Sequence, residues 1–280
     1  YDVIYDQEVM EGKLKGYDWL HLHHEDFTGQ FGKFHSSNAD LSWYRDEINL
    51  QTGIAQLFGM SKVSDLKLAV AKRIKQFLID GGFVFAMCSA TDTYDIALAA
   101  ENVDICADVY DGDPMDPDMD EKLDFSKTLA FKDFRIVRSP YIYEYSTIDV
   151  TGSRRVPRQM DYFTLFEFSA KWDPVPTMLT QNHTRTVKGF LGQTTAFKKA
   201  LIKNDVTIMG ELKAYGEARY IHGNLGKGMW TYYGGHDPED YRHTLGEDPT
   251  DLTLHPDSPG YRLILNNILF PAARKKKQKT

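Results

Sequence analysis

Gly81-Gly82-Phe83-Val84-Phe85-Ala86-Met87-Cys88-Ser89-Ala90-Thr91-Asp92 is the stretch that decides how this chain is read. Five apolar residues after a glycine pair read as a buried strand, and the small polar residues beyond Met87 read as the start of a helix. The chain must therefore turn abruptly at Cys88. Such a turn is a candidate nucleophile elbow. It lifts one side chain above the carboxyl edge of a sheet and aims the free N–H groups of the next helix at it, which favours a thiolate or an oxyanion. Small neighbours are required there, and Ala86 and Ala90 stand two residues either side of the thiol. The pattern is small-x-Cys-x-small in place of the more usual Gly-x-Cys-x-Gly.

Working outward, residues 62–80 carry an apolar stripe of Leu66, Ala69, Val70, Ile74, Phe77 and Leu78, with Ser64 as the expected N-cap and Gly81-Gly82 as the stop. Thr91 or Asp92 is expected to cap a helix running to residue 100. Residues 1–6 and 17–23 read as two parallel strands, so the first 110 residues predict a parallel sheet covered by helices on both faces. Asp, Pro, Met and Gly dominate residues 108–124, a surface loop that opens an elaborated middle region over 108–205. Short strands are expected near 128–137, 162–168 and 177–179, with Pro174 and Pro176 punctuating the last of these. A helix is expected over 194–203 and a strand over 206–209. A hairpin is expected to join 218–222 to 229–233 through Asn224–Gly228, and Ser258 and Pro259 to open a last helix that Pro271 ends.

The chain has 280 residues, 42% hydrophobic and 13% aromatic, enough for a full core and most simply one domain over 1–273 with a basic tail at 274–280. No run of eighteen apolar residues occurs, so no membrane span is expected. The first residue is Tyr1 rather than Met, which reads as a chain lacking an upstream segment, and the compartment stays open between bacterial cytoplasm and periplasm. Two cysteines, Cys88 and Cys106, exclude a disulfide framework. The net charge is −7; setting aside Arg274, Lys275, Lys276, Lys277 and Lys279 leaves 28 basic against 40 acidic residues, or −12, a body that repels nucleic acid.

Two motifs carry a family resemblance. Gly81-Gly82-Phe-Val followed by Cys88-Ser-Ala-Thr-Asp-Thr is one; Gly226-Lys-Gly228 leading through Thr231-Tyr-Tyr to Gly235-His236-Asp-Pro-Glu239 is the other. Together they resemble the trehalose-utilisation (ThuA-like) branch of the class I glutamine amidotransferase-like superfamily, over roughly residues 1–110 and 205–270. The resemblance implies a flavodoxin-like parallel sheet whose first strand and helix precede Tyr1. Members of that branch commonly carry His where this chain has Cys88. The whole chain also resembles a group of Bacteroidota proteins often labelled asparagine synthetase B. That chemistry needs an N-terminal cysteine and an ATP-pyrophosphatase Ser-Gly-Gly loop, and neither is written in these residues.

The resemblance implies a site made of Cys88 as nucleophile, His236 as its base, and Glu239 or Asp237 as the acid that orients the imidazole. Backbone N–H groups near Ser89 would bind an oxyanion, and Thr91, Asp92 and Gly235 belong to the substrate-contacting motifs. His23, His24 and Glu25 lie at the carboxyl end of a predicted strand, where open α/β sheets gather their sites, and are expected to bind substrate. Strand alternation puts His21 and His23 on one face, where they could ligate a divalent metal, although nothing in the spacing requires one. Asp111 to Asp120 reads as a solvated acidic loop, since it lacks the glycine and closing glutamate of an EF-hand. Gln181-Asn182-His183-Thr184 reads as a polar turn, and Trp19, Trp43, Trp172 and Trp230 as packing residues that could also stack on a sugar. The expected activity is that of a hydrolase acting on a small carbohydrate-derived or amide substrate. The alternatives are a sugar- or ligand-binding module without chemistry, and a glutaminase feeding ammonia to a synthetase partner; a homo-oligomer fits each.

Overall fold

The structure is a computed structural model in which residues 1–166, 183–242, 244 and 246–269 are described. In chain order its helices are α1 (Asp6–Met10), α2 (His35–Asn38), α3 (Ser42–Leu57), α4 (Val63–Asp80), α5 (Ser89–Ala99), α6 (Asp108–Asp111), α7 (Met119–Lys122) and α8 (Pro259–Leu269). Its strands are β1 (Trp19–Leu22), β2 (Phe83–Met87), β3 (Tyr162–Leu165), β4 (Thr186–Lys188), β5 (Phe197–Lys198), β6 (Thr207–Leu212), β7 (Glu217–Leu225) and β8 (Gly228–Tyr233). The fold is mixed α/β. All eight strands join one sheet in the order β1-β2-β8-β7-β6-β3-β4, with β5 paired to β7 off that path.

Only β1, β2 and β8 run parallel; every pairing beyond β8 is antiparallel. Of the parallel pairing expected in the first 110 residues, β1 with β2 is present, and the expected hairpin is the antiparallel pair of β7 and β8, whose cause is local. The turn Gly226-Lys227 joins β7 to β8, and a two-residue turn returns a chain only antiparallel to itself. Gly226 sits at φ +59, and a Cβ on it would meet the Ile79 backbone at 2.6 Å, so the hairpin tip is also where the sheet touches the end of α4.

The core forms on both faces of the sheet. β2 is buried along its whole length, as a strand sandwiched between layers must be. Val84 and Ala86 face Leu66, Val70, Ile74 and Leu78 of α4 and Ile96 of α5, while Phe83, Phe85 and Met87 join Phe163, Tyr233 and Leu263 of α8 in a second cluster. Each large apolar side chain so buried contributes roughly 1.5–3 kcal/mol. The predicted stripe of α4 is the buried one, and Gly81 ends the helix at φ +124. Its start is two residues earlier than expected: Lys62, in an extended conformation, takes the N-cap and Ser64 lies in the first turn.

Other expectations fail for identifiable reasons. Residues 1–5 form no strand; α1 follows them, tied to α4 by Asp6 accepting from Lys67 at 2.5 Å. Residues 128–137 make only isolated bridges, Phe131 with Ile202 and Ile136 with Ser146. Residues 194–203 are not a helix, because Thr194 sits at φ 61 and β5 and a 3-10 turn follow it. The expected strand at 177–179, Pro174, Pro176, Trp172, Gln181, Asn182, Pro271 and the basic tail lie outside the described residues. Among the described residues, no helix is long and apolar enough to cross a membrane.

Candidate functional site

Cys88 adopts φ 54 and ψ −137, a conformation that a side-chain-bearing residue holds only when its surroundings enforce it. The enforcement is visible. Its N–H is shared between the carbonyl oxygens of Tyr233, at 3.2 Å, and Gly235, at 3.1 Å, so the end of β8 grips the turn. Helix α5 begins at Ser89, and Cys88 itself occupies the N-cap in place of Thr91 or Asp92. Ser89 Oγ donates to the His24 carbonyl at 3.1 Å and Thr93 Oγ1 to the Glu25 carbonyl at 3.0 Å, fastening the segment after β1 to the same helix.

The thiol is covered. Its S–H donates to the carbonyl oxygen of Gln193, in a loop of residues 190–195. A Cβ on Gly192 would lie 3.4 Å from Cys88 Sγ, 3.2 Å from His236 Cδ2 and 3.1 Å from Gly235 Cα, so glycine lets this loop settle between thiol and imidazole. Gln193 Nε2 anchors the loop to the carbonyls of Gly32 and Tyr143, at 3.1 and 3.0 Å. Thr194 donates through Oγ1 to Asp92 at 2.8 Å and through N–H to Asp149 at 3.2 Å. Burial pushes the Cys88 thiol well up, and the nearby Asp92 and Asp149 carboxyls push it further, so the resting sulfur is protonated. Burial likewise raises Asp92 well above the usual carboxylate range, with Asp149 adding to it, and burial brings Asp149 to about 6. Thr91 and Asp92 are fully buried, and both bond within the fold: Thr91 Oγ1 donates to the Cys88 carbonyl at 2.6 Å.

His236 stands at the other side of Gly192. The two acids expected to orient it are bonded elsewhere. Asp237 accepts from Tyr261 Oη at 2.6 Å, from Thr250 Oγ1 and from the N–H groups of Glu239 and Asp240; although burial opposes this, the bonds hold its carboxyl below the usual range. Glu239 accepts from Lys188 Nζ at 3.3 Å and lies 3.6 Å from His255 Nδ1. Both acids therefore fix the turn that carries His236, pinning it to β4 and α8. Gly235 makes that turn at φ +77, with the Phe190 ring where a Cβ would be.

The structure brings His236 together with His23 and His24. Because β1 ends at Leu22, strand alternation stops there and the rings of His23 and His24 stack at 4.0 Å instead of pointing to opposite faces. The His236 ring meets them edge-on at 5.5 and 4.7 Å. One ring nitrogen from each of the three lies within 4.8 Å of the others. His21 remains in the strand, packed between Phe85 and His23, and burial lowers it to about 4, so it is neutral. Glu25 sits just behind. Burial raises its carboxyl and Oε2 is buried with no hydrogen-bond partner. A second group, Asp104, Cys106 and Asp111, already holds a cation: Lys62 Nζ lies 2.5 Å from Asp104 and 3.1 Å from Asp111.

Gly192, Gln193, Thr194 and Asp149 were not singled out from sequence. A glycine followed by three polar residues is a turn signal that could have marked the loop, and the helix expected over 194–203 starts two residues beyond that glycine. No family model matches the chain, and no curated protein matches it in sequence. Among solved structures it is similar to the cytoplasmic protein STM3548 from Salmonella typhimurium, with a TM-score of 0.41 and 8% identity over 96% of this chain and 79% of that one. It is similar also to the cytoplasmic protein STM1381 from Salmonella typhimurium LT2, with a TM-score of 0.44 and 10% identity over the same shares.

Proposed function

We propose that this chain is a hydrolase-type enzyme of the ThuA-like branch of the class I amidotransferase-like superfamily, with a flavodoxin-like parent fold. Its substrate is small and carbohydrate-derived or an amide, bound at the carboxyl edge of β1, β2 and β8. The observation that carries this reading is the strained elbow at Cys88, φ 54 and ψ −137, between a buried parallel strand and a helix N-terminus. Strain of this kind gathers at reacting groups.

In this reading the loop of residues 190–195 lifts and a substrate carbonyl takes the place of the Gln193 carbonyl beside the sulfur. His236 accepts the thiol proton, the thiolate attacks the carbonyl carbon, and the first N–H groups of α5 receive the oxyanion. His236 then returns the proton to the leaving group, and water releases the acyl group. Asp237 and Glu239 act as positioning residues through the turn that bears His236.

The test is ammonia and glutamate release from glutamine, and hydrolysis of simple amides and lactones, by the wild type beside Cys88→Ala. Loss of turnover by at least about 100-fold with an unchanged melting temperature is expected, as for the removal of a nucleophile; retained turnover removes Cys88 from the mechanism. Glutamate release that rises on adding a synthetase would select the glutaminase form. The covered, protonated thiol favours a second reading, a sugar- or ligand-binding module without chemistry. Ligand binding by equilibrium dialysis, with alkylation of Cys88 equally slow in its presence and absence, selects that one.

A further inference from the structure

We propose that His23, His24 and His236 form a binding site for a divalent transition-metal ion with at least one coordination position open to substrate or water. The three rings come from two different strand ends, after β1 and after β8, and flank the elbow at the end of β2. The sheet register therefore sets their separation, and no mobile tail is involved.

Their nitrogens already lie within 4.8 Å of one another. A tetrahedral zinc-type site has metal–nitrogen bonds of about 2.0–2.1 Å, which places its ligand nitrogens about 3.4 Å apart. Closing the difference requires the stacked rings of His23 and His24 to rotate out of their stack so that their in-plane nitrogen lone pairs converge with that of His236. His23 and His24 are exposed and His236 is half-buried, so a cation held by the three would face solvent on its remaining side. Three protein ligands with an open position is the arrangement of catalytic rather than structural zinc.

The donor set selects the metal. Three imidazoles without a thiolate or carboxylate suit zinc, cobalt, nickel or copper(II), and are poor partners for magnesium or calcium. The surroundings also fit. Ser89 Oγ holds the His24 backbone, the His21 ring stacks on His23, and a Cβ at Gly192 would lie 3.2 Å from His236 Cδ2, so glycine there leaves room for that ring. At the open position the ion would take an oxygen donor, a water or a sugar hydroxyl or carbonyl, and polarise it. The site stands on the three rings alone and does not rest on thiol chemistry. In the metal-loaded protein His236 is a ligand and is unavailable to accept the Cys88 proton, so the two uses of this imidazole exclude each other.

The test uses the whole chain, stripped with chelator and titrated with cobalt(II) while visible absorbance is followed, with competition by zinc. A single equivalent is expected to bind with a nitrogen-ligated spectrum. His23→Ala, His24→Ala and His236→Ala should each weaken binding by at least about tenfold. His35→Ala, whose ring packs on Tyr110, and Cys88→Ala should leave it unchanged. The proposal is overturned if the folded wild type binds no stoichiometric metal, if the three histidine variants bind as well as it does, or if Cys88→Ala abolishes binding. Metal binding kept in Cys88→Ala, with the turnover of the metal-free wild type lost in that variant, would uphold both proposals as alternative states of one site; turnover kept would sink the thiol mechanism and leave the metal site standing.

Discussion

In the wing of the sheet formed by β1, β2 and β8, closure comes from apolar surface: β2 is buried at every position and the stripe of α4 covers one face of it. In the wing from β7 to β4, a buried ion network is added to the apolar packing of Phe163, Leu165, Val187 and Met209. Arg219 is fully buried and donates to both oxygens of Asp161, at 2.7 and 3.0 Å. Arg154 pairs with Asp161 at 2.7 Å and with Glu217 at 3.0 Å. Apolar closure loses stability by increments as side chains shrink, whereas a buried ion network fails when one member goes, since the others are left as uncompensated charges. The two modes meet at the candidate site. The elbow of Cys88 belongs to the apolar wing, and its cover begins in the charged one, because Arg219 Nη1 donates to the Phe190 carbonyl at 2.9 Å.

The largest effect expected from this contrast is that of Arg219→Ala, which should cost about 3–5 kcal/mol in a urea melt. A loss under about 1 kcal/mol, the size of an exposed pair, would show that the charges do not close that wing. A smaller effect is expected from pH. Burial raises Asp95 to about 6 against its three bonds from backbone N–H groups, and raises Asp149 to about 6. A carboxyl whose folded pKa is above its unfolded value keeps its proton longer when folded. Its contribution to stability is therefore full below pH 4 and is lost as pH rises through 6. Each group accounts for about 2–3 kcal/mol of that loss. Melts at pH 4 and 7 should show wild type losing about that much more than Asp149→Asn over the interval; equal losses would contradict the assignment. The smallest effect should come from Gly192→Ala, at about 1 kcal/mol. It should nonetheless speed alkylation of Cys88 severalfold by lifting the loop, and an unchanged rate would separate the loop from the thiol.

The elbow was legible because its constraint is local: a turn crowded by a strand and a helix demands small residues, and Ala86 and Ala90 record that demand. The hairpin of β7 and β8 and the stripe of α4 were legible for the same reason. Helix α3 was not. It buries only Tyr44 and Ala55, so its sequence lacks the continuous stripe that marks a packed helix. Residues 194–203 form no helix because Thr194 stands at positive φ and bonds to Asp92 and Asp149, 102 and 45 residues away in the chain. The imidazole cluster was half legible. His23 and His24 drew notice at a strand end, but their approach to His236 depends on β1 and β8 flanking β2, a long-range register that no local pattern encodes.

One amide proton has a use beyond holding the elbow. The Cys88 N–H, divided between Tyr233 and Gly235, is a gauge built into the backbone at the seam between thiol and imidazole. Displacing the His236 turn must lengthen at least one of those two bonds, so hydrogen exchange at this single position reads the motion of both groups at once. A protein whose site opens in one concerted step would exchange that proton at the same rate at which it exposes its sulfur.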